Sequence, residues 1–149
     1  ENEKITKLEL LLKIPQQANT PHTLWAMLNN FFNQSQTSIS KLPNNLLIRI
    51  NRLRCVNGCD TKICKTIEIP EILSLQRFCS CKNKQTFLLD AFIEHCGNCT
   101  NDGHYIIYFR NEQNNSFWSI SDDKIQEVSH ERFLEKASTA YIYLFKSIE

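Results

Sequence analysis

Two residues, His104 and Asp122, have the types and the spacing for proton-transfer chemistry. His104 opens the segment HYIIYFR at 104–110. Its aromatic and β-branched residues predict a strand. A polar turn follows at 111–116 (NEQNNS), then a second predicted strand at 117–121 (FWSIS). In an antiparallel hairpin opposed positions have a constant sum, and a turn centred near residue 113 sets it at about 226. Asp122 therefore falls beside His104 at the open end of the hairpin. A carboxylate next to an imidazole fixes its tautomer and supports its charged form. That is the base and the orienter of a nucleophilic mechanism. On a sheet rim the same contact also serves as an ordinary surface pair.

A nucleophile is harder to find. The seven cysteines are Cys55, Cys59, Cys64, Cys79, Cys81, Cys96 and Cys99. None precedes Cys55. Cys96 and Cys99 lie near His104 in sequence, but not at a helix N-terminus that would lower a thiol pKa. An odd count cannot pair completely within one chain. A domain of this length holds its core without a disulfide scaffold, so free thiols in a reducing compartment are expected. Cys96 and Cys99 form the best-placed pair if one is oxidised. Cys55, Cys59 and Cys64, Cys79-x-Cys81 and Cys96-x-x-Cys99 lack the doubled CxxC spacing of a zinc ribbon. No metal and no cofactor is expected.

The elements that must position these groups read as one α+β domain over residues 1–149, mostly antiparallel sheet with two short helices. Residues 8–14 alternate as a strand. Thr20-Pro21 reads as the start of a helix that carries Leu24, Trp25, Leu28, Phe31 and Phe32 on one stripe. Leu46–Leu53 alternates with Leu46, Ile48 and Ile50 on one face. A polar loop is expected at 54–64, and a short strand at 65–69 that ends at Pro70. Strands are expected at 87–94 and 140–146, and a helix capped by Ser129 over 130–137.

Composition narrows the function classes. Hydrophobic residues make up 42% of the 149, and 17 basic residues nearly balance 16 acidic ones. That excludes a disordered chain and leaves no global field to attract nucleic acid or an anionic membrane. No apolar run approaches the ~20 residues of a membrane helix.

Several segments resemble the ubiquitin-specific proteases. LPNNLLIRINRL at 42–53 is similar to the family's "LP…LIIHLKRF" strand, and KTIEIPEIL at 65–73 to the strand after it. FLLDAFIEHCGNCTNDGHYIIYFRN at 87–111 resembles the histidine box, "Y.L.AVI.H.G…GHY.AY.R". FWSISDDKIQEVS at 117–129 resembles "W…FDD..V..V", and TAYIYLFK at 139–146 the terminal "AY.LFY". More distantly, LLLKIP and TPHTLWAMLNNFF within 10–32 resemble the fingers segment.

The resemblance implies a papain-like hand, with residues 41–149 as palm and 1–40 as part of the fingers. It implies that His104 is the base, Asp122 the orienter and Asp123 the second acidic residue, which in some members helps stabilise the oxyanion. Gly103 and Tyr105, with Cys96 and Gly97 of the blocking loop, would line the channel for ubiquitin's diglycine tail. The activity implied is hydrolysis at the C-terminus of ubiquitin, in the cytoplasm or nucleus. The partners implied are ubiquitin or a ubiquitin-like protein, with no nucleic acid and no membrane.

Where the family has an "N.GNTC" nucleophile box on a thumb helix, this chain has nothing similar. The chain opens on Glu1, not Met, which points to an excerpt or a processed product. Three readings follow from the residues. The chain is the palm of a deubiquitinase whose thumb lies on other residues or on another polypeptide, and is inactive alone. Or it is a catalytically dead module that binds ubiquitin or a relative. Or it belongs to another papain-like class, such as a viral protease.

Overall fold

The computed structural model describes residues 9–15, 22–80, 85–97 and 102–148. One mixed sheet carries the fold. Its strands are β1 (Leu10–Lys13), β2 (Asn45–Asn51), β5 (Ile72–Ser74), β6 (Thr86–Cys96), β7 (His104–Arg110), β8 (Phe117–Ser121), β9 (Lys124–Val128) and β10 (Ile142–Ile148). They run in the spatial order β1-β2-β10-β6-β7-β8-β9, with β5 on the side of β6. Among the described strand pairs, only β1–β2 is parallel. The two remaining strands, β3 (Leu53–Val56) and β4 (Cys59–Lys62), form a separate hairpin.

The core lies on one side of this sheet. Ile48, Tyr143, Phe92 and Tyr108 are opposed in successive strands and all are buried. Two helices cover them. Helix α1 (Leu24–Ser35) buries Leu24, Met27, Leu28 and Phe32, and Phe32 stacks on Phe78 with ring centroids 4.6 Å apart. Helix α2 (His130–Ala137) inserts Phe133 between Phe92 and Phe117, at 4.8 and 4.7 Å. Burying one such ring stabilises by about 1.5–3 kcal/mol. Ser129 caps α2, its hydroxyl accepting the Arg132 N–H at 3.1 Å. A bulge in β6 skips Asp90, and the buried carboxylate meets Lys146 at 3.2 Å.

Among the described residues no helix lies on the opposite face of the sheet. Leu11, Arg49, Ile142, Ile93, Ile107, Ile120 and Ile125 oppose one another across all seven strands of the main path. Opposed residues share a face. The next row, Leu47, Leu144, Ala91, Phe109 and Trp118, is also apolar and half-buried.

Several expectations change. The expected helix start, Thr20-Pro21, lies outside the described residues; α1 begins at Leu24 and is capped by Thr23, whose hydroxyl accepts the Ala26 N–H at 3.0 Å. The segment expected to be a polar loop folds back as the β3–β4 hairpin. Asn57 and Gly58 both take positive φ there (51° and 78°), as a tight two-residue turn requires. The strand expected at 65–69 does not pair as a ladder. It is held by single bonds, Leu24 N–H to Glu68 O (2.9 Å) and Ile67 N–H to Ser138 O (2.9 Å). No helix among the described residues is long and apolar enough to cross a membrane.

Candidate active site

His104 is the first residue of β7, and β7 pairs with β8 only from Ile107, which lies opposite Ile120. That register is one residue beyond the one a symmetric turn implies. The chain then reverses at Asp122-Asp123, so that Ser121 faces Lys124 on β9. Asp122 takes a positive φ of 52°, which Asp tolerates better than most residues. These two departures offset each other, and Asp122 still comes to the imidazole. Its Oδ2 lies 3.7 Å from His104 Nε2. That is ion-pair distance, too long for a hydrogen bond. The hydrogen bond at Nε2 belongs to Ser121, whose Oγ stands at 2.7 Å. Sequence reasoning missed Ser121, although it adjoins Asp122. The pair is open to water, His104 at 41% and Asp122 at 80% of side-chain surface. Asp123, the second residue of the turn, is exposed and takes no part in the ion pair.

With Nε2 facing Ser121 and Asp122, Nδ1 is the ring nitrogen left for proton exchange. A neutral imidazole accepts at one nitrogen and donates at the other.

Gly103, just before the histidine, is packed too tightly for a side chain. A Cβ there would collide with the His95 ring and lie 2.6 Å from Cys96 O. Gly97 has a φ of +141°, and a Cβ on it would stand 2.5 Å from Asp102 O. Both positions therefore demand glycine. The His95 ring, itself buried, contacts Tyr105 (4.8 Å between centroids) and Tyr141 (5.8 Å). Tyr105 is exposed on the open face. It borders a groove of about 320 Å³ lined also by Leu11, Arg49, Asn51, Leu53, His95 and Tyr141. Burial raises the Tyr141 phenol above its ordinary pKa.

Cys96 lies directly across the ladder from His104. Burial, and then the Glu94 carboxylate beside it, push its thiol above the ordinary value. A thiol held in its neutral form is a poor nucleophile. Glu94 is itself buried and engaged by Lys136 Nζ (3.1 Å), Thr139 Oγ1 (2.9 Å) and the Tyr108 hydroxyl (3.4 Å). Cys55, Cys59 and Cys64 are exposed on or just after the β3–β4 hairpin. Cys79 donates to Leu75 O at 3.2 Å. Cys81 and Cys99, and with them the Cys96–Cys99 pairing, lie outside the described residues. Among the described residues no three His, Cys, Asp or Glu side chains are grouped to hold a metal ion.

The profile of the family described as ubiquitin carboxyl-terminal hydrolase matches residues 3–145. Ubiquitin carboxyl-terminal hydrolase 8 of Saccharomyces cerevisiae is 25% identical over 125 residues, 76% of this chain and 26% of that protein. Ubiquitin carboxyl-terminal hydrolase 17 of Homo sapiens is 28% identical over 104 residues, 68% of this chain and 19% of that protein. The chain thus spans about a quarter or less of these relatives. Among solved structures, the Ubp8-Sgf11-Sgf73-Sus1 SAGA DUB module superposes with a TM-score of 0.80 at 23% identity, over 96% of this chain and 34% of that one. The same kind of module bound to ubiquitin aldehyde gives a TM-score of 0.81 at 21% identity, over 96% and 36%. The fold is therefore the palm-like α+β sheet of those proteins, and with nearly its whole length matched, the chain belongs to the ubiquitin carboxyl-terminal hydrolase family.

Proposed function

We propose that this chain is the histidine-bearing part of a ubiquitin-specific protease and that it is inactive by itself. Residues 41–149 form the palm in this reading, and residues 1–40 part of the fingers. The observation that carries it is the engagement of His104 Nε2 by Ser121 and Asp122, which leaves Nδ1 as the exchanging nitrogen. Asp122 and Ser121 orient the ring, and Asp123 stands next to them in the turn. The attacking thiolate comes from a polypeptide segment outside this sequence. It adds to the carbonyl carbon of ubiquitin's C-terminal glycine, and Nδ1–H of the imidazolium protonates the leaving amine. Water then releases the acyl group, with Nδ1 taking its proton.

Two features support this reading. Gly97 packs closely against the backbone of Asp102 and Gly103, and Gly103 against the His95 ring, which suits a narrow channel for a diglycine tail. His104 stands at the rim of the sheet with 41% of its side chain exposed, which leaves its ring within reach of a nucleophile-bearing segment. Ubiquitin, or a ubiquitin-like protein, is the proposed partner, in the cytoplasm or nucleus.

The test is a pair of measurements on the purified chain. Mixed with ubiquitin bearing a C-terminal electrophile, it is expected to form no adduct. Titrated with free ubiquitin and followed by NMR, it is expected to show shifts at Tyr105, Leu53 and Gly103. An adduct on any cysteine overturns the assignment of inactivity. No shift at these residues overturns the choice of ubiquitin.

A further inference from the structure

The side chain of Lys62, at the end of β4, leaves its own hairpin and ends on the main sheet. Its ammonium donates to the carbonyl oxygens of His95 (2.6 Å) and Gly97 (2.7 Å). These carbonyls flank Cys96, whose backbone pairs with that of His104. They lie where β6 runs out. An ammonium with three rotatable donors fits two nearby acceptors, and a charged donor makes the stronger kind of hydrogen bond.

The origin of this tether is fixed. Arg52, 1% exposed, precedes the hairpin and donates to Ala140 O (2.8 Å), Ser138 O (2.8 Å) and Lys65 O (2.6 Å). The Ile63 N–H returns to Arg52 O at 2.8 Å. The hairpin base is thereby tied to the end of α2. At the far end of the tether, Gly103 rests on the His95 ring and on Cys96 O. Where residues 95–97 sit decides where Gly103 sits, and Gly103 leads directly into His104.

We propose that Lys62 is a positioning residue for the candidate active site: its ammonium, shared between His95 O and Gly97 O, sets the end of β6 and through it Gly103 and the His104 imidazole. The proposal rests on the reading of His104 as the base, and it does not depend on the identity of the substrate.

The experiment compares the full chain with Lys62→Met, which keeps the stem and removes the charge, and with Lys62→Arg, which restores a charged donor. Residue-resolved amide exchange and the imidazole nitrogen signals of His104 are followed without ubiquitin. In Lys62→Met, amides of 95–97 and 103–105 are expected to exchange roughly tenfold faster, with Phe92 and Tyr108 unchanged, as for a local opening. The His104 signals are expected to move, and Lys62→Arg to return both readouts most of the way. Unchanged exchange, faster exchange spread evenly over the sheet, or unmoved His104 signals would each overturn it. Ubiquitin is absent from the experiment, so failure of the ubiquitin reading leaves its outcome unaffected.

Discussion

Glu71 gathers two basic side chains on one carboxylate oxygen. Arg110 donates to its Oε1, and His130 Nε2 stands 3.0 Å from the same atom. Both groups also lie on the Phe117 ring, the Arg110 guanidinium at 4.8 Å and the His130 ring stacked at 4.8 Å. Burial alone raises the Glu71 carboxyl, but the bonds and charges of Arg110 and His130 outweigh it and hold the group below its ordinary 4.5. A carboxyl lowered on folding adds stability above its unfolded pKa, and that stability is lost as the pH falls through the folded value. Glu71→Gln is therefore expected to cost about 1–3 kcal/mol at pH 7, since it leaves the nearly buried Arg110 with a weaker partner. At pH 3 the difference from wild type should shrink. Urea midpoints at the two pH values measure it, and an equal difference at both would contradict the charge argument. At the other end of β7, Gly103→Ala is expected to cost about 1–3 kcal/mol, because its methyl group lands on the buried His95 ring. The imidazole shifts of His95 and His104 report it. A variant with wild-type stability and unmoved imidazoles would show that the ring yields freely.

The elements nearest the site were the most legible in the sequence. β7, β8 and α2 have the bounds that their residues imply, because strand alternation, a polar turn and a serine cap are local properties. The cap makes a local prediction: Ser129→Ala should cost about 1 kcal/mol and Phe133→Ala about 3–5, both read from thermal or urea unfolding. A smaller loss in Phe133→Ala than in Ser129→Ala would show that α2 is not held by its ring contacts. The hairpin register was less legible, since one residue of slip depends on the turn's own geometry. Asp122 was reached all the same, because the extra residue is offset by the reversal at 122–123. The β3–β4 hairpin did carry a sequence signal, Asn57-Gly58, which the surrounding polar residues obscured. β9 had none, since Lys124, Ile125, Gln126 and Glu127 are all exposed on an edge strand. Nor did the Lys62 tether, which joins residues 33 and 35 positions apart. Such contacts follow from packing, and no period or spacing announces them.

The whole molecule has a finished side and an open side. Helices α1 and α2 cover one face of the sheet with buried aromatic and aliphatic side chains. The other face presents a row across seven strands that is apolar except at Arg49, in which Leu11 (40%), Ile107 (41%) and Ile125 (63%) are exposed, with Tyr105 (64%) beside them. Monomeric proteins rarely leave a contiguous apolar patch of more than a few hundred Å² in water. The two faces should therefore respond oppositely to substitution. Phe145→Ala, on the covered face, removes a fully buried ring and is expected to cost about 3–5 kcal/mol. Ile107→Thr with Ile125→Thr keeps β-branching while removing apolar surface from water. It is expected to leave the urea midpoint within about 0.5 kcal/mol of wild type. Because burial of such surface drives association, the same double variant should also self-associate less in sedimentation at matched concentration. A loss of stability approaching that of Phe145→Ala would mean that the row is packed within the chain. Unchanged stability with reduced association would mark it as a surface that a further polypeptide can cover, on the face of β7 that Tyr105 and Ile107 share.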